Sequence, residues 1–241
     1  MIIEGADGSG KSAVADLAVR TLGEQGRRTR MTRRTAPDGP SHHAALIEAV
    51  GALFAAADDL RAGCELLSVA AAAQYAAIVD GQVLPALRRG EVVIADSWWA
   101  KTWARLSIEA TYLHHLNDAQ VHKLRAWQQA LLPGAFVPPA HQLTLLLRAP
   151  EDDRVRWYDD AGCRDVVYSP SGTTSYEPTD FGRLTTALDQ LLSEVAAQQD
   201  WPILVNHHGR LPREVAAEMT ALIEAHLSSA PPCAETICGC A

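Results

Sequence analysis

The chain has 241 residues, 48% hydrophobic and 21% charged, the proportions of a globular protein able to bury a sizeable core. Lys and Arg number 21 against 29 Asp and Glu, and this net charge of −8 argues against broad charge-driven binding to nucleic acid or an anionic membrane. No apolar run approaches the ~20 residues of a membrane span, the opening Met1-Ile2-Ile3-Glu4-Gly5 carries no export signal, and five unevenly spread cysteines exclude a disulfide scaffold; the expectation is a cytoplasmic protein.

The chain opens on a very short apolar strand, Ile2-Ile3, that runs straight into a glycine-rich turn. Val14, Leu17, Ala18 and Leu22 then recur at helical spacing, predicting a helix from Ser12 to about Gln25 that stops at Gly26. Residues 28–43 are polar and read as a short strand followed by a loop. Residues 41–89 are rich in Ala and Leu and read as two or three helices, one of them from Cys64 to about Leu87. Val92-Val93-Ile94-Ala95, closed by Asp96, is a continuous apolar run that fits a buried parallel strand.

Residues 97–132 read as mostly helical. Pro133-Gly134 and Pro138-Pro139 break the chain before a second buried strand, Gln142 to Leu147. From Arg154 to Asp180, charges, glycines and prolines predict a mobile loop region. A helix from about Phe181 to Gln198 leads to a last strand in Trp201–Val205 and a final helix from Pro212 to Leu227. Residues 228–241 are small and polar and are expected to be a disordered tail. Strands alternating with helices predict an α/β fold with a central parallel sheet covered on both faces, a single domain over 1–227.

The strongest motif is Gly5-Ala6-Asp7-Gly8-Ser9-Gly10-Lys11-Ser12, which satisfies G-x-x-x-x-G-K-[ST] between a predicted strand and a predicted helix. Gly5, Gly8 and Gly10 let the backbone curl so that its N–H groups, with that of Ala13 in the first helical turn, face phosphate oxygens. In this motif Lys11 reaches the β and γ phosphates and Ser12 takes a place on Mg²⁺. The expected ligands are ATP and Mg²⁺, and the expected architecture is the three-layer α/β/α P-loop NTPase. Asp96, closing a parallel strand at the sheet's ligand-binding edge, is a candidate metal carboxylate; a simple helix cap is the alternative.

The opening Ile3-Glu4-Gly5-Ala6-Asp7-Gly8-Ser9-Gly10-Lys11-Ser12 resembles the start of thymidylate kinases, whose loop is typically I-E-G-x-D-G-x-G-K-[ST]. The likeness continues weakly through Thr32-Arg33, through Gln74–Leu87 with Arg89–Asp96, and through Leu143–Glu151, covering about residues 1–225 in organisation. It implies transfer of the ATP γ-phosphoryl group to a nucleotide acceptor and a commonly dimeric protein. It places Asp7 toward the acceptor sugar or the metal, where the alternative is plain Asp-Gly turn chemistry. It also implies a lid at about 151–180, with Arg154, Arg156 and Arg164 as arginines that neutralise developing charge, Arg164 first among them.

The departures fall on the acceptor side. The family's Asp-Arg at the strand end is here Asp96-Ser97-Trp98-Trp99, and the family's helix arginine is replaced by Ala72, two residues before Gln74. Basic Arg34 stands where the family's loop has an acid, beside Arg33. The expected acceptor side therefore comprises Arg33, Arg34, Gln74, Trp98 and Trp99, with Tyr75, Trp103 and Tyr112 as further aromatic candidates. Core packing is the competing role for the tryptophans. The acceptor is read as dTMP or a modified pyrimidine nucleotide, free or in DNA. The competing class is a P-loop regulatory protein, or a degenerate kinase that binds ATP without turnover. The three His-His pairs and the cysteines near the C-terminus form no ligand set at metal spacing.

Overall fold

The computed structural model describes residues 1–33, 42–60, 62–112, 114–131, 141–160 and 178–229. Arg34, Cys163, Arg164 and the cysteines beyond Ser229 lie outside the described residues.

The strands are β1 (Ile2–Glu4), β2 (Thr29–Arg33), β3 (Val92–Asp96), β4 (Thr144–Arg148) and β5 (Ile203–Val205). Among the described residues they form one sheet in the order β2-β3-β1-β4-β5, and every pairing is parallel. The register pairs Ile3 with Asp96 and with Leu145, so β1 and β3 end within one residue of each other while β4 runs on two residues further, to Arg148. Between them run α1 (Lys11–Glu24), α2 (His42–Asp59), α3 (Cys64–Ile78), α4 (Leu84–Arg88), α5 (Trp99–Tyr112), α6 (Asp118–Ala130), α7 (Glu151–Asp160), α8 (Pro178–Gln198) and α9 (Pro212–Ser229). β1 is short, as its sequence predicts, yet it is paired on both sides at the centre of the sheet.

Strand alternation sorts the core. Leu145 and Leu147 pack on one face with Val14, Ala18 and Leu22 of α1 and Val215, Met219 and Ile223 of α9. Leu146 between them faces the other way, toward Ala104 and Ile108 of α5 and Leu188 and Leu192 of α8. This is the expected α/β arrangement with both faces of a parallel sheet covered.

A π-helical turn, Val79–Val83, joins α3 to α4. It carries the buried Gln82, whose Oε1 accepts from Thr32 Oγ1 at 2.6 Å and so ties the end of β2 to the helix. By length and composition alone, the continuous helical stretch Cys64–Arg88 meets the test for a membrane span, which corrects the expectation that no segment approaches one. Most of it is buried, with Ala70, Ala71, Tyr75 and Ile78 inside the fold, so the apolar composition serves a core helix.

The expected loop from Arg154 to Asp180 is also corrected at its two ends, while residues 161–177 lie outside the described residues. Residues 151–160 are helical, and Glu151, Asp152 and Asp153 lie in the first turn of α7, where acids complement the helix dipole.

Candidate functional site

The backbone leaves β1 into the glycine loop and re-enters regular structure at Lys11. Gly10 caps α1 at φ 82°, a left-handed conformation that side chains resist, and no side chain caps the helix. A Cβ there would stand 2.5 Å from Asn206 Nδ2, and one on Gly8 would stand 2.7 Å from the carbonyl oxygen of Arg154. The loop is thus pressed between α7 and the turn after β5, leaving no room for a side chain at Gly8 or Gly10. Asn206 Nδ2 donates to Ser9 O at 3.0 Å, holding the loop's middle. The other amide atom, Asn206 Oδ1, is buried without a hydrogen-bond partner among the described residues.

Above the loop lies an open cavity of about 900 Å³. Its floor is the loop and the first turn of α1, including Asp7, Gly8, Gly10, Lys11, Ser12 and Ala13. The first-turn N–H groups of a helix have no partners within the helix, so this floor is a donor surface suited to an anion. A cavity of this size suits a small-molecule ligand.

Lys11 is buried, and its Nζ donates to Ala6 O at 2.7 Å and approaches Ser9 Oγ at 3.4 Å. Burial, with the nearby charge of Lys101 adding to it, pushes its ammonium down to about 8. Ser12 Oγ donates to Asp96 Oδ2 at 2.6 Å, bringing the end of β3 to the start of α1. Arg33, at the end of β2, places its Nε 3.7 Å from the same carboxylate oxygen and donates from Nη2 to Asp16 at 2.9 Å.

Two further residues escaped the sequence reading. Glu4 is wholly buried at the end of β1, where it accepts from the backbone N–H of Ala100 at 3.0 Å and of Lys101 at 3.2 Å. Burial pushes its carboxyl up to about 7 against those hydrogen bonds. Glu4 therefore caps α5 from another strand. The helix so fixed sends Lys101 back to the loop, where its Nζ pairs with Asp7. Single-chain spacing gives no signal for either contact, because the partners are more than ninety residues apart.

The opposite wall is contributed by Trp157 of α7 and by His208, Arg210, Leu211 and Pro212 after β5. His208 N donates to Asp153 Oδ2 at 2.9 Å, joining that turn to α7. Arg210 is engaged by Glu218 and by Val205 O.

The expected site residues divide. Lys11, Ser12, Asp7, Asp96 and Arg33 are brought to one cavity. Arg154 is not among its lining residues: its guanidinium is buried, donates to Ala149 O at 2.6 Å and Thr186 Oγ1 at 3.1 Å, and lies 3.7 Å from Asp189. Desolvation pushes this guanidinium's pKa down. Arg156 is exposed and lies 3.8 Å from Asp153.

Trp99 and Gln74 are buried away from the cavity. Trp99 packs with Phe54, Ala71 and Tyr75, while Gln74 lies against Gly51 of α2. Trp98 packs on Tyr75 with the ring planes tilted by 56° and the centroids 4.6 Å apart, and edges a separate small cavity with Met1 and His141. The physical reason is that Glu4 fixes the first turn of α5, which turns the indole of Trp99 down onto α3. The aromatic acceptor wall expected from the sequence is therefore not at this cavity. Trp103 packs beneath Arg125, and Tyr112 is exposed.

Among the described residues no group of three or more His, Cys, Asp or Glu side chains is placed to hold a metal. Cys64 is buried, its thiol pushed up to about 12 chiefly by burial, and is therefore a packing residue rather than a nucleophile. No family model and no curated protein matches the chain.

Proposed function

We propose that the chain is an ATP- and Mg²⁺-dependent phosphotransferase with a P-loop NTPase fold, similar to thymidylate kinases. It moves the ATP γ-phosphoryl group to a nucleotide or nucleotide-like acceptor. The observation that carries the reading is the 2.6 Å hydrogen bond between Ser12 and Asp96 on the floor of a donor-lined cavity. A hydroxyl and a carboxylate side by side are hard oxygen donors, the chemistry Mg²⁺ accepts when substrate phosphates and water complete its shell. Ser12 and Asp96 would hold the ion, which supplies charge neutralisation to the triphosphate when bound.

The chain's own residues do the rest. The loop N–H groups and α1 orient the phosphates, and Lys11 exchanges Ala6 O and Ser9 Oγ for phosphate oxygens. Arg33 stays beside Asp96 and offers a second cation to the acceptor side. Phosphoryl transfer asks chiefly for positioning and positive charge, and those are what this set provides.

The competing reading is a nucleotide-binding regulator or a degenerate kinase, favoured by the burial of the Arg154 guanidinium away from the cavity. Exposed Leu46 and Leu53 on α2, with Leu66 and Val69 on α3, support a homodimer through these helices. A polymer acceptor is disfavoured by the net charge of −8.

The deciding experiment is ATP consumption with Mg²⁺ against dTMP, dUMP, 5-hydroxymethyl-dUMP, dCMP, nucleosides and thymine-containing oligonucleotides, with Lys11→Ala as the blank. Lys11-dependent turnover on any of these supports the kinase reading. Tight ATP binding without turnover on every acceptor supports the regulator.

A further inference from the structure

The two ends of β2 face different surroundings. Arg33, its last residue, lines the cavity, whereas its first residues lie at the opposite edge of the sheet, away from the glycine loop. There the exposed side chains of Arg20, Arg28, Arg88 and Arg89 gather with the half-buried Arg30. Glu24 and Glu91 are the acids among them, and the neighbouring Arg27 is taken by Glu224. Among the described residues no ion pair engages Arg20 or Arg88. On a chain whose net charge is −8, this is a local excess of positive charge.

The arginines are held in place. Arg28 Nη2 donates to the carbonyl oxygen of Arg89. Arg30 Nε and Arg89 Nε both donate to Glu91, at 3.2 and 2.7 Å, so the guanidinium groups of this face already hold a carboxylate between them. Arg20 approaches from the other side. It shares a face of α1 with Asp16, which pairs with Arg33 at 2.9 Å, and Thr29 Oγ1 lies 3.4 Å from the carbonyl oxygen of Val19. Arg20 therefore stands over the first half of β2. Met31 is paired with Ile94, which packs on the α1 face, while Arg30 is paired with Val93, which packs with Ile78 and Ala86 on the other.

β2 is an outer strand, and among the described residues β3 is its one strand neighbour. Val92 N donates to Arg28 O at 2.8 Å, so strand alternation turns the backbone N–H and C=O of Thr29 and Met31 away from β3. An edge of this kind is a template for a further strand. An extended segment laid along it sends alternate side chains to the two faces, toward Arg20 on one and toward Arg28 and Arg30 on the other. Two copies of β2 would set arginine against arginine, so this edge repels its own kind. A backbone ladder also selects a peptide over a nucleic acid, which has phosphates to offer but no matching row of amides.

We propose that the first half of β2 is a docking edge for an extended acidic segment of a partner protein, which adds a strand to the sheet. The edge is separate from the cavity, and the inference stands whether or not the chain transfers phosphoryl groups.

The test is fluorescence anisotropy of the full chain with a labelled peptide of repeating Glu-Glu-Val, whose acids fall on both faces when extended. It is expected to bind about tenfold or more tightly than the Glu-Glu-Pro peptide of equal charge, since proline lacks the N–H that the edge requires. Arg28→Gln combined with Arg30→Gln is expected to weaken binding about tenfold or more, and Arg20→Gln about threefold, with ATP-analogue affinity changed by less than about twofold. Bound peptide is expected to slow amide exchange at Thr29 and Met31, whose N–H groups face outward, and to leave Arg30 unchanged. The exchange measurement on wild type decides the matter if the double variant fails to fold.

Equal binding of the Val and Pro peptides overturns strand addition, as does unaltered exchange at Thr29 and Met31 in the complex. Binding weaker than about 1 mM, or binding indifferent to the arginine substitutions, removes the docking edge altogether. A thymidine oligonucleotide that displaces the peptide and binds more tightly also overturns the proposal, assigning the arginines to nucleic-acid phosphates.

Discussion

Ser12 and Asp96, 84 residues apart in the chain, meet at 2.6 Å because β1 and β3 are hydrogen-bonded neighbours that end within one residue of each other at the same edge of the sheet. The contact joins α1, the helix that starts directly from the glycine loop, to β3, the strand beside β1. If this pair holds the metal, removing either oxygen acts on metal-dependent binding more than on folding, since Ser12 is exposed. Ser12→Ala and Asp96→Asn are each expected to weaken Mg²⁺-dependent binding of an ATP analogue by about tenfold or more, with little change in metal-free binding. Titrations with Mg²⁺ and with EDTA check this, and equal losses in both would remove the metal role.

Lys11 supplies a pH dependence. With its ammonium pushed down to about 8, the ligand-free protein loses this charge as pH rises through that value. An anionic ligand restores the proton. ATP-analogue affinity is therefore expected to fall above pH 8, and binding near pH 8 to take up protons, seen as a buffer-dependent heat in calorimetry. Lys11→Arg, which stays charged, is expected to lose the pH dependence. A wild-type profile that is flat between pH 7 and 9 counts against the depressed ammonium.

Glu4 makes a stability prediction. Its folded carboxyl sits at about 7, above the usual 4.5, so the folded state binds the proton more tightly than the unfolded chain does. The contribution is fully present below pH 4.5 and is lost as pH rises through 7, amounting to about 3 kcal/mol. Urea denaturation at pH 5 and pH 8 is expected to show a larger drop for wild type than for Glu4→Gln. Equal drops in the two proteins would mean that Glu4 titrates normally.

Arg154 is expected to act on stability. Its buried guanidinium ties α7 to Ala149 and to Thr186 of α8, and the backbone of the same residue packs on Gly8. Arg154→Met is expected to cost roughly 1–3 kcal/mol while ATP-analogue affinity stays within about threefold. Turnover falling by a hundredfold at unchanged stability would return this residue to the reaction.

Ser97 holds a left-handed backbone, φ 65°, just past β3 at the cavity wall. Ser97→Gly is expected to raise stability by about 1 kcal/mol by relieving that strain, and Ser97→Val to lower it by at least as much. Thermal melts of the two variants read this directly.

Much of this protein was legible along the chain because the signals were local. Val92–Ala95 is apolar over a strand's length and Gln142–Leu147 is mostly so, and Gly5 to Ser12 places its glycines and lysine at fixed spacing within a single turn, so strand, loop and helix were recognisable together. The sequence signal failed where burial, rather than composition, decides a residue's use. Trp98 and Trp99 have the chemistry of a base-stacking wall, but the pitch of α5, fixed by Glu4, sends Trp99 into the core. Arg154 sits on a segment polar enough to read as a loop, yet it is buried through contacts with Ala149 and Thr186. The pairing of Asp7 with Lys101 and of Ser12 with Asp96 arises only when parallel strands bring distant helix starts to one edge. Residue type and short spacing determine the elements and the glycine loop. Strand order, which depends on the burial of both sheet faces, decides which charges share the cavity.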